Sequence, residues 1–214
     1  MEDLLGFIAL SIVIIIILLI SIFSRPITKI LFVALMVRVF FMLYGHYFSP
    51  LPDSTGDSTT FEKIAWIMSR EGFSKILDNS TGLDIQFISW VIAIPYSLFG
   101  RSLLMAQSIS LFLGMLNIIL AWKVASKLWD RHTAKKATWT IALFPSLILY
   151  SVLLMREVYI VFFILIALYG SISLIKTQKI KFFILALSGF AGSILFHGAM
   201  IVGAIIFVIY VGLI

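Results

Sequence analysis

The amino-acid sequence predicts an all-α fold, a polytopic transmembrane helical bundle of about six or seven spans with a long extracytoplasmic loop that carries juxtamembrane helices. Hydrophobic residues fill 62% of the 214 positions and charged residues only 12%, whereas about 25% of an ordinary soluble domain is charged. Several apolar runs approach the ~20 residues that cross a bilayer core. The short connections between these runs are basic. Together these observations indicate an integral membrane protein.

The predicted spans follow the apolar runs along the chain. Leu4–Phe23 is an additional N-terminal span of 20 residues, because its acidic flank and its length do not fit a signal peptide. The next spans are predicted at Ile27–Phe48, Ser102–Val124, Ala137–Leu154, Val158–Ile175 and Ile180–Phe196. Ile85–Phe99 is short and contains Pro95, so we expect a re-entrant or interfacial segment.

The last apolar piece, Ala199–Ile214, has 16 residues and would give about 24 Å of helix, which is short of a crossing. We therefore expect either a fragment of a larger protein or a reduced chain. No composition shift marks a soluble domain, so residues 1–214 are predicted to form a single membrane domain, with the bundle over 102–214.

The basic residues predict the orientation. Ten of the 16 lysines and arginines lie in three short connections, around residues 25–29, 123–136 and 176–181, and Asp130 is the one carboxylate among them. Basic connections stay in the cytoplasm, so the N-terminus and the 49–101 loop are expected on the extracytoplasmic side. The net charge of +6 therefore reflects topology, and we expect no nucleic-acid partner.

An amphipathic helix is predicted within the 49–101 loop, over residues 59–71. Thr59 and Glu62 have the spacing of a capping box. One apolar face repeats at helical spacing, at Phe61, Ile64, Ala65 and Met68. The polar side chains of this helix are expected to stay in water: Glu62, Lys63 and Arg70. Gly72 would end the helix, which we expect to lie in the bilayer interface.

Two carboxylates, Asp53 and Asp57, precede this helix in a cluster of turn residues. Asp57 could simply serve the helix N-terminus as a cap or dipole partner, although Thr59 could provide the cap instead. Asp53 follows Pro52 and could have only a turn role. The alternative is that Asp57, at the membrane surface, is a catalytic group for a lipid-borne substrate.

Further candidates carry charge at or inside the predicted spans. Arg156 and Glu157 lie where a span begins on the outer side, either as an interfacial pair or as part of a site with Asp57. Arg38 could anchor backbone carbonyls within the membrane or contact a lipid phosphate. Arg101 could be an interface anchor or a phosphate ligand. His197, at a helix break, has either a structural role or a role in substrate binding.

Other classes of chemistry lack support in the sequence. The zinc-protease motif HExxH, the redox motif CxxC, the dinucleotide motif GxGxxG and the phosphate-binding P-loop do not occur. The chain contains no cysteine, so disulfide bonds are excluded.

Short motifs occur in a fixed order over about residues 30–200. They are Arg38; Asp57 with Phe61 and Ala65; Phe99-Gly100-Arg101; Leu128-Trp129-Asp130-Arg131; and the stretch Phe144–Glu157. In this order the chain resembles the N-terminal membrane module of the C-type, polyprenyl-phosphate-dependent glycosyltransferases. These include oligosaccharyltransferase catalytic subunits, protein O-mannosyltransferases and lipid A aminoarabinose transferases.

The resemblance implies sugar transfer from a polyprenyl-phosphate donor on the extracytoplasmic face. It implies that Asp57 is the catalytic base and that Glu157 shapes the site. In members that need a divalent cation such as Mg²⁺ or Mn²⁺, Asp57 and Glu157 would hold it. Asp53 is a further catalytic candidate. The candidates for substrate binding are Arg101, Arg156, Arg38 and His197.

Two other functions remain open. The chain could be a non-catalytic membrane subunit that holds a partner enzyme, or a flippase or transporter, although the latter would call for related halves with broken helices. We expect a multi-pass protein of a bacterial inner membrane rather than of the endoplasmic reticulum.

Overall fold

The computed structural model describes residues 2–78 and 86–212. Within these ranges the regular structure is entirely helical, with eleven α-helices, two 3₁₀ turns and no strand, which confirms the predicted all-α fold. Ile85, the first residue of the predicted re-entrant segment, and residues 213–214 of the last apolar piece lie outside the described residues.

The helices follow one another with short connections. In chain order they are α1 Glu2–Phe23, α2 Thr28–Tyr47, α3 Asp57–Ser69, α4 Phe73–Asp78, α5 Phe87–Phe99, α6 Leu103–Leu128, α7 Arg131–Leu143, α8 Pro145–Val152, α9 Glu157–Thr177, α10 Ile180–Phe196 and α11 Ile201–Gly212. The 3₁₀ turns are Arg25–Ile27 and Gly198–Met200.

Among the described residues, four helices are long and apolar enough to cross a membrane: α1, α2 with the turn before it, α6 and α9. Helices α5 and α10, and α11 together with its preceding turn, are apolar but shorter. The predicted span at residues 137–154 is divided at Phe144 into α7 and α8. The cause is Pro145, since a proline disfavours helical geometry in the residue before it, and Phe144 is extended with ψ 121°.

Helix α6 lies at the centre of the bundle and packs against α1, α2, α7, α8 and α9. Ser102 caps its N-terminus, because the Ser102 hydroxyl oxygen accepts a hydrogen bond from the Met105 amide at 3.3 Å. Asp130 caps α7 in the same way by accepting from the amides of His132 and Thr133. These caps supply partners for helix-terminal amides that have none within the helix.

Helices α9 and α10 approach closely through small residues. A Cβ atom placed on Gly189 would lie 2.4 Å from the backbone nitrogen of Ala167, and one on Gly170 would lie 2.6 Å from that of Ala186. The two glycines therefore face alanines across the helix pair, an arrangement that lets membrane helices pack backbone to backbone.

Charged side chains make contacts at both ends of the bundle. At one end, Asp3 Oδ1 of α1 lies 3.6 Å from His46 Nε2 of α2. At the other end, the Lys176 ammonium donates a hydrogen bond to the Lys127 carbonyl, which joins the last turns of α9 and α6. We call the end that contains Asp3 and His46 the outer end, following the orientation predicted from charge.

Helix α3 differs in detail from its prediction. It begins at Asp57 rather than Thr59, and the Thr59 hydroxyl donates to the Thr55 and Gly56 carbonyls at 3.0 and 2.9 Å. The predicted capping box is therefore wrong. Phe61 and Ala65 form the buried face as predicted, and the Ser89 hydroxyl of α5 donates to the Phe61 carbonyl at 2.9 Å.

Candidate functional site

The outer end of the bundle contains a cleft of about 430 Å³ between α2, the segment 50–56, α3 and α6. Its polar walls include His46, Ser54, Ser58, Glu62, Arg101 and Gln107. We call it the outer cleft. It is formed by residues of the predicted extracytoplasmic loop and by the outer ends of two spans, so the fold brings distant stretches of sequence together here.

The best-defined contact of the outer cleft is the ion pair between Glu62 and Arg101. Arg101 Nε and Nη2 donate to the two Glu62 carboxylate oxygens, each at 2.9 Å, and the Tyr96 hydroxyl lies 3.3 Å from Glu62 Oε1. The Arg101 guanidinium also lies 5.7 Å from the Trp66 ring centroid. Hydrogen bonding to Glu62 raises the pKa of Arg101 above its ordinary value.

This pair changes the interpretation of both residues. The prediction that Glu62 stays in water is wrong, because its side chain is only 8% exposed. Glu62 lies on the same face of α3 as Phe61 and Ala65, at the edge nearest Arg101. Arg101 was predicted to anchor the interface or bind a phosphate, and two of its three guanidinium nitrogens now have a protein partner.

Asp57 lies at the rim of the outer cleft. It is the first residue of α3 and is exposed, while its neighbours Thr55, Ser58 and Thr59 line the cleft. Gly56 occupies the N-cap position, so Asp57 is not the cap, although a carboxylate in a first turn also stabilises the helix dipole. Asp53 is exposed in the turn before α3 with φ 61°, a left-handed conformation that aspartate tolerates.

A hydrogen bond joins the first turn of α3 to the segment between α8 and α9. The Leu154 amide donates to the Ser58 hydroxyl oxygen at 3.3 Å, and both groups are buried. Ser58 follows Asp57, and Leu154 lies just before Arg156 and Glu157. The two outer segments that carry the predicted catalytic carboxylates are therefore in direct contact.

Arg156 and Glu157 begin α9 in a half-buried setting. Arg156 Nε lies 3.6 Å from Glu157 Oε1, which is too long for a hydrogen bond. Arg156 Nη1 and Glu157 Oε2 are both buried and have no hydrogen-bond partner within residues 2–78 and 86–212. Arg156 therefore retains hydrogen-bonding capacity at Nη1, and it is not held by two hydrogen bonds to a carboxylate as Arg101 is.

A second hollow, the bundle cavity, measures about 250 Å³ and is lined by Arg38, Asn117, Tyr150 and Glu157 among others. Arg38 is 1% exposed. Its Nε donates to the Ser151 hydroxyl at 3.0 Å and its Nη1 to the Ala142 carbonyl at 2.8 Å. The break at Phe144 leaves carbonyls at the end of α7 without helical partners, and Arg38 binds one of them. Of its two predicted roles, the geometry supports the intramembrane anchor.

His197 lies apart from both hollows. It joins α10 to the following 3₁₀ turn and is half-buried. The adjacent Phe196 stacks on Tyr159 with a ring-centroid distance of 4.9 Å. Its position fits the structural role. Among the described residues, no other predicted site residue lies beside it that would support its predicted role in substrate binding.

The two predicted metal ligands, Asp57 and Glu157, lie in different parts of the structure. Asp57 lies at the rim of the outer cleft, whereas Glu157 lines the bundle cavity. Among the described residues no group of three histidine or carboxylate side chains is close enough to hold an ion. Mg²⁺ is commonly held by one or two carboxylates plus substrate phosphates, so a metal requirement stays a prediction and we derive no step through an ion.

Sequence reasoning missed two polar residues of the central helix, Gln107 and Asn117. Both are buried, Gln107 in the wall of the outer cleft and Asn117 in the bundle cavity, where its Nδ2 donates to the Val158 carbonyl at 3.1 Å. The sequence does contain a signal for these two residues: both are polar and lie within a predicted apolar span, and such side chains usually face the interior of the protein.

Residues 86–213 match the family model described as dolichyl-phosphate-mannose-protein mannosyltransferase. No curated protein and no solved structure matches the chain. The matched segment covers α5 to α11 and includes Arg101, Arg156, Glu157 and His197, whereas Arg38, Asp53 and Asp57 precede it.

Proposed function

Because this chain belongs to the dolichyl-phosphate-mannose-protein mannosyltransferase family, whose members are membrane glycosyltransferases of the GT-C type, we propose that it transfers a sugar from a polyprenyl-phosphate donor to an acceptor at the outer end of the bundle. The observation that carries this proposal is the contact between Ser58 and Leu154. It joins the segment of Asp57 to the segment of Arg156 and Glu157, beside a cleft large enough for a ligand.

In the proposed reaction, Asp57 is the general base. Its carboxylate takes the proton of an acceptor hydroxyl while that oxygen attacks the anomeric carbon of the donor sugar. The bond between the anomeric carbon and the phosphate oxygen breaks, and polyprenyl phosphate leaves with the bonding electron pair. The leaving phosphate needs no proton, so a single carboxylate can serve the reaction. The exposed position of Asp57 at the cleft rim leaves it accessible to an acceptor.

For the donor phosphate we propose Arg156 rather than Arg101. Arg101 is held by two hydrogen bonds to Glu62, and releasing it would leave a buried carboxylate without its partner. Arg156 Nη1 has no partner in the part of the chain that the structure describes. A phosphate oxygen would therefore gain a charge-assisted hydrogen bond there without breaking an existing one.

The test is a transfer assay on the purified chain in nanodiscs, with mannosyl polyprenyl phosphate and a nucleotide sugar as alternative donors. We expect transfer from the polyprenyl donor alone. Loss of one charge-assisted hydrogen bond in Arg156→Gln should raise KM for that donor about tenfold. Arg70→Gln is the matched control, because Arg70 is an exposed arginine at the far end of α3.

Two results would contradict the proposal. Transfer from the nucleotide sugar would show that the reaction does not require a lipid-linked donor. A folded chain that transfers nothing from several polyprenyl donors, with and without Mg²⁺ or Mn²⁺, would favour a non-catalytic membrane subunit instead.

A further inference from the structure

Three lysines converge at the end of the bundle opposite the outer end, which we call the inner end. The Lys127 ammonium of α6 lies 4.7 Å from the ring centroid of Tyr169 on α9 and 5.9 Å from that of Phe182 on α10. The Lys181 ammonium lies 5.2 Å from the same Phe182 centroid, and the Lys176 ammonium donates to the Lys127 carbonyl. We call Lys127, Lys176 and Lys181 the inner lysine cluster.

The position of Lys127 is fixed by the helices around it. Lys127 is half-buried, and the two rings that it contacts pack edge to face with their centroids 6.5 Å apart. A cation over an aromatic face is attracted by the negative charge of that face. The Tyr169–Phe182 pair therefore holds the Lys127 ammonium where α6, α9 and α10 meet, and the charge at this point is preorganised.

The inner lysine cluster is not neutralised by a carboxylate within residues 2–78 and 86–212, where its three ammonium groups form no ion pair. Asp130 is the one carboxylate in the basic connections. Its oxygens accept from the amides of His132 and Thr133 and from the Thr133 hydroxyl. Like charges held close together repel one another, so an anion bound among the three lysines would stabilise this end of the bundle.

Exposed apolar side chains lie directly beside the inner lysine cluster. Ile180 precedes Lys181 at the start of α10, and Ile184 follows Lys181 one turn later on the same helix face. These two isoleucines are 70% and 62% exposed. The surface is therefore cationic at the tip of the bundle and apolar one turn below, toward the membrane core.

We propose that the inner lysine cluster binds the headgroup of an anionic phospholipid of the cytoplasmic leaflet, whose acyl chains cover Ile180 and Ile184. The phosphodiester supplies the negative charge that the cluster lacks, and the acyl chains fit the apolar surface below it. A free phosphate would leave that surface uncovered, and a zwitterionic lipid brings an ammonium of its own.

The place of the cluster agrees with this ligand. The cytoplasmic leaflet carries anionic lipids that attract basic segments at the membrane surface, and the inner end faces the cytoplasm in the orientation predicted from charge. The cluster lies at the opposite end of the bundle from the outer cleft. The proposed lipid site is therefore separate from the proposed site of sugar transfer and does not depend on it.

The test is a competition titration of the delipidated full chain in detergent. The probes are phosphatidylglycerol, which is anionic, and phosphatidylcholine with the same acyl chains, which is zwitterionic. Native mass spectrometry counts the bound molecules of each lipid. We expect the first bound lipid to be phosphatidylglycerol, preferred at least about tenfold. Lys127→Gln and Lys181→Gln should each lower this preference about fivefold, which is the contribution of one lysine near an anionic lipid surface.

A matched control separates a local site from the general charge of the inner end. Lys136 is an exposed lysine of the same basic end, but it lies on α7, which packs against α2, α6 and α8. Lys136→Gln removes the same charge and should bind phosphatidylglycerol as the parent does. Lys181 is exposed, so Lys181→Gln should keep the thermal midpoint of the parent, and its loss of lipid is then not a loss of fold.

Three results would overturn the proposal. The first is equal binding of the two lipids by the parent chain. The second is a Lys136→Gln chain that loses as much preference as Lys181→Gln, which would mean diffuse attraction to the whole basic end. The third is displacement of the lipid by glycerol 1-phosphate at the same concentration, which would mean a site for a free anion. The titration contains no sugar donor, so its outcome is distinct from that of the transfer assay.

Discussion

At the residue scale, the two members of the Glu62–Arg101 pair differ in their access to water. The Glu62 side chain is 8% exposed and the Arg101 side chain 39%. Water can therefore solvate an Arg101 that has lost its partner well, whereas a Glu62 that has lost its own stays largely desolvated. Removing one partner of a buried pair is costly chiefly because of the charge left behind.

We therefore predict that Arg101→Gln destabilises the fold more than Glu62→Gln. The difference should be about 1–2 kcal/mol, below the range for fully buried pairs because Arg101 is partly exposed. Unfolding of both variants in the same detergent, followed by circular dichroism, measures it. Equal losses, or a larger loss in Glu62→Gln, would show that the carboxylate is better solvated than its burial indicates.

At the element scale, the α9–α10 interface depends on a close backbone approach. The position of Gly189 leaves no room for a methyl group, because the obstructing atoms belong to the backbone of α9 rather than to a flexible side chain. Gly198, in the turn after α10, has nothing within 4 Å of a Cβ atom. The two glycines therefore form a matched pair for the same substitution.

Gly189→Ala should force α9 and α10 apart and cost about 1–3 kcal/mol, the usual range for overpacking. Gly198→Ala should leave stability unchanged within about 0.5 kcal/mol. Thermal unfolding of the two variants in detergent compares them directly. A Gly189→Ala chain as stable as the Gly198→Ala chain would mean that the helices can separate at no cost.

The same elements show how far the sequence determined the fold. Composition and apolar run length predicted the long helices within a few residues, because burial in lipid requires a continuous helix. The start of α3 was misplaced, since Gly56 rather than Thr59 precedes its first turn. The burial of Glu62 could not be read locally, because its partner Arg101 lies 39 positions away in the chain.

At the scale of the whole molecule, helix packing places four of the predicted site residues at two separate hollows, while His197 lies apart from both. Arg101 lines the outer cleft and Asp57 lies at its rim, while Arg38 and Glu157 line the bundle cavity. The ordered motifs predicted the family, and the match over 86–213 confirms it. They could not predict the division into two hollows, because that depends on how α3 packs against the α8–α9 segment.

The measurement that tests the central claim most directly compares sugar transfer by the parent chain, Asp57→Asn and Glu71→Gln in nanodiscs under identical conditions. Glu71 is an exposed carboxylate just beyond the other end of α3. A general base contributes at least about 100-fold to a rate, so Asp57→Asn should lose at least that factor in kcat while Glu71→Gln keeps the parent rate. An Asp57→Asn chain that transfers sugar at the parent rate would contradict the assignment of Asp57 as the base.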